Sequence, residues 1–549
     1  MQSKKLKEIN QFIKVLVQHL YQLMNQNKKK LIYRISSIAT LFGLILTIGC
    51  QPLKPYQYPL TPTPVKWKND ESANSNEVTN EEEAENSSET DDKKIQFKDA
   101  CETFEPWWEI FNDESLNQLE NQALAGSFTI WEALEKVIQA RQQVIISRSE
   151  LFPNINFVPS FLRTGQLIQN PLGTFETTNC PPAATTTTTT TPPEIFRFIQ
   201  TQLLLPLEVN YKVDLWSKYD NSYHAAIYTA QATVQAYNEV LLSLTADLAS
   251  NYFILRSLDT QIEVLKQNIQ IRQRAFEINS SRFRAGVINF VDVSRADLEV
   301  STAKSDLDDI IRQRGIQENL IATLMGVPAS EFSLPFNPVF KPPPSIPSGF
   351  PSEILTQRPD IQEAERNLAS AYRNIGVAYA NFFPSLELNG AIGLETPVIS
   401  KLFSWKARFW RVGWDAFQTV FDAGKTEANY YYYVSIFREA MDNYQQTVLN
   451  AFKEVENELI NLRQYALQEK DIGNAIQAAK KTLELSELRY NRGLSFYLDV
   501  VDAERDLLRT QQNSAIILGH RYASTVGLIK ALGGKINLNE NNSKNQCVE

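Results

Sequence analysis

Two carboxylates near the C-terminal end offer the most definite chemistry in this chain. Asp499 and Asp502 stand three apart in Leu498-Asp499-Val500-Val501-Asp502-Ala503, so on a helix they share one face. Repeated threefold about a narrow axis, the pair would form rings that favour cations and repel anions. The alternative is two solvated charges at a helix N-terminus, where aspartate is favourable in any case. Other chemistry finds less support. The three histidines, His19, His224 and His520, are far apart in sequence, which argues against a zinc or iron site. Gly424-Lys425-Thr426 ends like a phosphate-binding loop, but Thr419 occupies the place of its first glycine. With no dinucleotide fingerprint and no Ser/His/Asp arrangement, the expectation is no catalytic residue, no cofactor, no metal and no enzyme activity.

Cys50 is a candidate for covalent modification. Lys28, Lys29, Lys30 and Arg34 precede an apolar run from Ile38 to Ile48 that ends in Gly49-Cys50. A permanent membrane helix needs ~20 apolar residues, so this shorter run suits a signal peptide, residues 1–49. Leu46-Thr47-Ile48-Gly49-Cys50 resembles a bacterial lipobox, with Thr47 in place of the usual leucine. That resemblance implies lipidation of Cys50 at a new N-terminus; an unmodified cysteine after an ordinary signal is the alternative. Residues 50–105, Pro-rich and then acidic and Ser/Asn-rich, cannot bury enough apolar surface to fold alone. Cys101, Cys180 and Cys547 permit one disulfide per chain at most. Across 549 residues, 43% hydrophobic and 21% charged, a mean hydropathy of −0.29 argues against a bundle of membrane helices. A β-barrel stays open, because alternating strands leave little trace in an average. The net charge of −9 argues against nucleic acid as a partner.

The elements that would carry Asp499 and Asp502 occur twice. Arg282-Phe283-Arg284-Ala285-Gly286-Val287 reappears as Arg489-Tyr490-Asn491-Arg492-Gly493-Leu494, 207 residues on. Val291-Asp292-Val293 and Leu498-Asp499-Val500 keep that offset, which marks a duplication. The first copy carries an insertion, Asn179 to Pro193, with seven threonines from Thr185 to Thr191. From Leu205 to Leu215 apolar and polar residues alternate, the period of a half-buried strand. Copy two alternates at Leu386, Leu388, Ile392 and Leu394, and again at Trp410, Val412 and Trp414. Ile155, Phe157 and Phe161 suggest a fourth strand. Phe382, Phe383, Trp405, Phe409 and Trp410, near strand ends, fit the aromatic girdles of a membrane barrel; a soluble β-sandwich would alternate similarly. Residues 218–284 contain neither proline nor glycine and predict a helix of ~100 Å. Leu241, Leu248, Leu255, Ile262, Ile269 and Phe276 recur every seven residues, a coiled-coil seam. The seam returns at Val448, Val455, Leu462, Ile476 and Leu483, broken at Glu469. Four strands cannot close a membrane barrel, and lipid does not tolerate open edges. The chain must therefore supply one sector of an oligomeric barrel; three copies would give twelve strands.

Gln357-Arg358-Pro359-Asp360-Ile361, with Ala364-Glu365-Arg366, Ile375-Gly376 and Phe383-Pro384, resembles the signature of the TolC-like outer-membrane efflux factors, in their lipoprotein (OprM/NodT-like) branch. Trp107-Trp108 with Asp113 and Leu116 resembles that branch's opening. The resemblance covers about residues 107 to 533. It implies an α+β fold: a trimeric twelve-stranded β-barrel in outer-membrane lipid, continued by a coiled-coil tunnel across the periplasm. Residues 106–340 would form the first repeat, 341–535 the second and 536–549 a polar tail. The implied function is passive solute exit from a tripartite efflux system, as a homotrimer working with a periplasmic adaptor and an inner-membrane pump. An envelope-spanning structural or adhesion trimer is the other reading. The resemblance places Asp499 and Asp502, with Asp292 and Tyr490, at a periplasmic aperture. It places Gly286, Val287, Gly493, Leu494 and Ser495 at helix-tip turns that meet adaptor or pump. Ser495 replaces the arginine that helps to lock TolC closed.

Overall fold

Strands form where apolar and polar side chains alternate, and helices where the period lengthens. The computed structural model describes residues 106–169, 195–339, 341–346 and 357–534, all within the compact unit Gln57–Glu549. Cys50, the linker, the threonine-rich insertion, Cys101, Cys180, Cys547 and the tail lie outside the described residues.

A short 3-10 turn, Trp107–Phe111, leads into α1 (Glu114–Gly126) and α2 (Phe128–Ser149). Strands β1 (Asn154–Phe157), β2 (Ser160–Gln169) and β3 (Ile195–Val213) follow, then α3 (Lys218–Arg284) and α4 (Phe290–Leu324). The remaining elements are α5 (Pro359–Ala380), β4 (Ser385–Thr396), β5 (Arg408–Phe417), α6 (Lys425–Asn491) and α7 (Tyr497–Ala531). Helices α3 and α6 are each 67 residues, α4 and α7 each 35, at the 207-residue offset read in the sequence.

The strands make one antiparallel sheet in the order β1-β3-β4-β5, with β2 also on β3. The single strand expected around Ile155 to Phe161 is split at Val158-Pro159, because proline has no amide to give the ladder. The register nevertheless runs on, from Phe157 opposite Leu207 to Ser160 opposite Leu204. Close packing inside the sheet needs Gly393, where a Cβ would lie 2.2 Å from the Leu205 carbonyl oxygen. Strand β3 begins ten residues before Leu205 and ends at Val213, short of Leu215. There Asp214 turns the chain, accepting from the amides of Lys218 and Asp220 at 2.7 and 2.8 Å. The sheet has one greasy face, carrying Leu207, Val209 and Tyr211 beside Ile392, Leu388, Trp410 and Trp414. The other face carries Glu208, Asn210 and Lys212 beside Asn389, Glu387, Arg411 and Asp415. On it Asn389 donates to Asp415 at 2.6 Å and Arg411 lies 3.8 Å from Glu208.

The aromatic girdle divides. Trp405 and Trp410 are exposed, but Phe409 stands on the polar face, opposite in phase to Trp410. Phe382 and Phe383 stay at the joint of α5 and β4. Phe383 stacks on Trp216 at 4.6 Å, and Trp216 donates to the Pro384 carbonyl at 2.7 Å. The joint needs these rings to brace strand against helix, which withholds them from a surface girdle.

The main core lies where α1 and the Trp107-Trp108 turn cover α3 and α7. It gathers Trp108, Leu116, Leu248, Tyr252, Leu255, Val526 and Ile529. Asp113 caps α1 through the amides of Ser115 and Leu116 and accepts the Tyr252 hydroxyl at 2.6 Å. The Arg358-Pro359-Asp360 motif opens α5, with the proline at a position that has no helical amide bond to lose. Arg358 pairs with Asp360 at 2.6 Å and Glu454 at 2.8 Å and donates to the Ala531 carbonyl at 2.9 Å. It thereby ties α5 to α6 and α7. Glu469, which breaks the second seam, meets Arg521 of α7.

Candidate functional site

At the end far from the sheet, each long helix reverses through a glycine. Gly286 has φ +73° and Gly493 φ +75°, a region that only glycine enters without strain. The Val287 amide reaches back to the Arg282 carbonyl at 3.0 Å, and the Leu494 amide to Arg489 at 2.9 Å. These are paired Schellman stops. Val287, Leu494 and Phe496 are left exposed beyond them, so both hairpins end in apolar tips. Ser495 is half-buried, and its hydroxyl has no hydrogen-bond partner among the described residues.

Past the turns, Asp292 and Asp499 fall in the first turns of α4 and α7, where the helix dipole favours negative charge. Asp499 and Asp502 are exposed and Asp292 is half-buried. Asp502 lies 3.7 Å from Arg505, so part of its charge is balanced within the chain. Tyr490 ends α6 and donates to Asn279 of α3 at 3.2 Å. Its ring is 5.4 Å from Tyr497 and lies under the Arg282 guanidinium at 5.3 Å. Arg282 also donates to Asn491 at 3.1 Å. Within one chain Tyr490 thus fastens α6 to α3 rather than reaching Asp292.

One turn deeper is a charged knot that sequence reasoning missed. Arg272 of α3 pairs with Glu299 of α4 at 2.8 Å, both buried, and Arg505 of α7 joins Glu299 from the solvent side. Glu504 is buried beside them, one carboxylate oxygen without a hydrogen-bond partner among the described residues. Burial pushes its carboxyl up to about 7; Arg272 opposes the rise, and Glu487 and Glu299 add to it. Below the knot Ala296, Tyr497, Val500 and Val501 pack with Phe276, Leu483 and Tyr490. A signal was present: the seam row Leu244, Leu258, Leu265 continues every seven residues to Arg272 and Asn279. A row that turns polar where it should stay apolar marks a buried polar cluster.

At the start of α6, Asp422 accepts from the amides of Gly424 and Thr426 at 3.0 and 2.8 Å. The chain's own carboxylate therefore occupies the place a phosphate would take at Gly424-Lys425-Thr426. Among the described residues no group of three or more His, Cys, Asp or Glu side chains is arranged to hold a metal, and no helix is long and apolar enough to cross a membrane.

A greasy-faced sheet joined to paired helices with glycine tips and first-turn carboxylates is an α+β architecture shared with outer-membrane channels. The sequence model described as "Outer membrane efflux protein" matches residues 119–327 and 350–534; the chain belongs to that family. It is 27% identical to nodulation protein T of Rhizobium leguminosarum bv. trifolii, over 74% of this chain and 83% of that protein. It is 26% identical to the probable efflux pump outer membrane protein TtgC of Pseudomonas putida, over 88% of this chain and 93% of the other. The outer-membrane channel OprN superposes with a TM-score of 0.70 at 25% identity, covering 78% of this chain and 92% of that one.

Proposed function

We propose that this efflux-family chain is one third of a homotrimeric outer-membrane duct, through which solutes leave by way of a periplasmic adaptor and an inner-membrane pump. The observation that carries the reading is the sheet's shape: edges β1/β2 and β5 have no partner strand among the described residues, while Trp410, Val412 and Trp414 stand exposed. In lipid those edges must be paired, and three sheets closing edge to edge pair all of them. The polar face, with Glu208, Lys212, Glu387, Arg411 and Asp415, would then line a wet interior. Helix α6 supports the same conclusion, since four of its 67 residues are buried against 24 of 67 in α3. Its exposed Leu449, Ile460, Leu467 and Leu485 need a neighbour. Two repeats, 106–340 and 341–535, would each give a strand pair and a helix hairpin to the wall.

Three copies would bring Asp292, Asp499 and Asp502 around the axis as carboxylate rings at the periplasmic mouth, with Tyr490 bracing the hairpin behind them. The apolar tips at Gly286-Val287 and Gly493-Leu494-Ser495 would meet the adaptor or pump, and lipidated Cys50 would anchor the chain to the outer membrane. Purified chain reconstituted in a planar bilayer tests the core of this. Discrete conductance from a species of three chains' mass is expected; a monomer, or a trimer that never conducts, rejects the duct. The second outcome would favour a structural or adhesive trimer.

A further inference from the structure

The helices join the sheet at Asn154, Val213, Ser385 and Phe417; its opposite end is formed by Gln169, Ile195, Thr396 and Arg408. Charge is divided between those ends. In residues 160–169, 195–204 and 394–408 the basic residues are Arg163, Arg197, Lys401, Lys406 and Arg408, against a single acid, Glu395. Glu395 accepts from Gln202 at 2.7 Å, and Arg411 lies toward Glu208 on the polar face. Arg163 and Arg408 instead follow the phase of the greasy face, in line with Phe161 and Trp410.

The β4–β5 connection adds to this collar. Two 3-10 turns, Ile399–Lys401 and Trp405–Ala407, build it. Leu402 and Ala407 are buried anchors, so Ile399, Phe403 and Trp405 are held outward, Phe403 at 86% and Trp405 at 78% exposure. Lys401, Lys406 and Arg408 are exposed among them, and Arg408 donates to the Trp405 carbonyl at 3.0 Å. Exposed aromatic and aliphatic tips interleaved with cations match a membrane surface, with rings at the headgroup level and cations toward the phosphates.

We infer that this collar binds the phosphate groups of a phosphorylated lipid in the leaflet far from the helices, with Lys401, Lys406 and Arg408 as the contacts and Phe403 and Trp405 seated beside them at the headgroup level. Charge complementarity selects the occupant: arginine pairs bidentately with phosphate, and Glu395, the one acid in these described segments, is engaged by Gln202. The inference rests on the membrane duct proposed above, which fixes the collar at the lipid surface.

Full-length protein in detergent, titrated with diphosphorylated lipid A and with the same lipid dephosphorylated, tests it by native mass spectrometry. The diphosphorylated form should be retained preferentially, and K401Q/K406Q/R408Q should lose that preference by roughly fivefold per cation removed. The trimer's mass and conductance should not change. Equal retention of the two lipids, or a triple variant that binds like the parent, overturns the inference. So does displacement of the lipid by inorganic phosphate, which would make the collar a plain anion site. A failure to form trimers counts against the duct instead, and is distinguishable because mass is read in the same experiment.

Discussion

Glu504 shows how a single buried group can set a pH response at the tip of the tunnel. It faces Arg272 from α3, Glu299 from α4, Glu487 from α6 and Tyr497 on its own helix, while Arg505 is engaged by Glu299. Its carboxyl ionises at about 7, against an ordinary 4.5. The fold therefore prefers the protonated form, and unfolding is promoted as soon as the released chain can ionise. Stability from this group is complete below about 4.5, declines as pH rises, and levels off above about 7. The shift limits the effect to about 3 kcal/mol. E504Q should equal the parent near pH 4.5 and exceed it at pH 8, read as thermal midpoints in detergent; a constant difference between the two proteins would discount the burial argument. Glu239, also pushed up to about 7, is present in both and cancels. Of the residues at this end, the aspartates were legible because sequence spacing alone puts Asp499 and Asp502 on one face. Glu299 and Glu504 were not, since each looks like an ordinary surface charge until neighbouring helices close around it; of the cluster only Arg272 was marked, by its place in the seam row. The rings proposed for Asp499 and Asp502 make their own prediction. D499A/D502A should weaken block of the open channel by divalent cations about tenfold or more, as expected when fixed carboxylates leave a narrow pore. Unchanged block would return both aspartates to the role of solvated first-turn charges.

Helix ends and joints explain which parts of the architecture could be read beforehand. The 67-residue helices were visible because nothing in 218–284 interrupts a helix, and their stops were visible in Gly286 and Gly493. These glycines hold positive φ with open space where a Cβ would sit, so the cost of a side chain is backbone strain alone. G286A and G493A should each lose about 1 kcal/mol. Gly315, inside α4 and also with nothing within 4 Å, is the control: G315A should gain up to about 1 kcal/mol from better helix propensity. Circular-dichroism melts of the three variants would separate these signs, and a loss at Gly315 would point to packing instead. The Arg358 motif was legible as a signature but not as a mechanism, because Glu454 and the Ala531 carbonyl are 96 and 173 residues away. Its carboxylate partners are partly exposed, so R358A should cost about 2 kcal/mol, below the range for a fully buried pair. The girdle reading went astray at Phe382 and Phe383 for a related reason. A ring next to a strand end packs into a joint or faces lipid according to its tertiary neighbours, here Trp216, Tyr379 and Tyr430.

The isolated chain leaves apolar surface in stripes rather than scattered points, and stripes imply a partner of matching period. On α2, Trp131, Ile138 and Ile145 recur every seven residues and are all exposed, with Phe128 exposed ahead of them. An exposed heptad row is one side of a coiled-coil seam. The second seam row tells the same story on α6: Val448 and Val455 are buried, whereas Leu462, Ile476 and Leu483 are only half-covered within one chain. Heptad period was therefore legible in the sequence, but which rows close inside the chain and which close between chains was not. Period is common to both; only the presence of a facing helix distinguishes them. If the α2 row meets a neighbouring copy, I138D/I145D places unpaired carboxylates in that contact while leaving every core residue of the single chain untouched. Each isoleucine contributes roughly 2 kcal/mol when covered, and an ion left without a partner in a dry seam costs more. The variant should retain its helical circular-dichroism signal, run as a monomer by light scattering in detergent, and give no conductance. A conducting trimer would place the α2 stripe outside the subunit contacts and require another surface to hold the three sheets edge to edge.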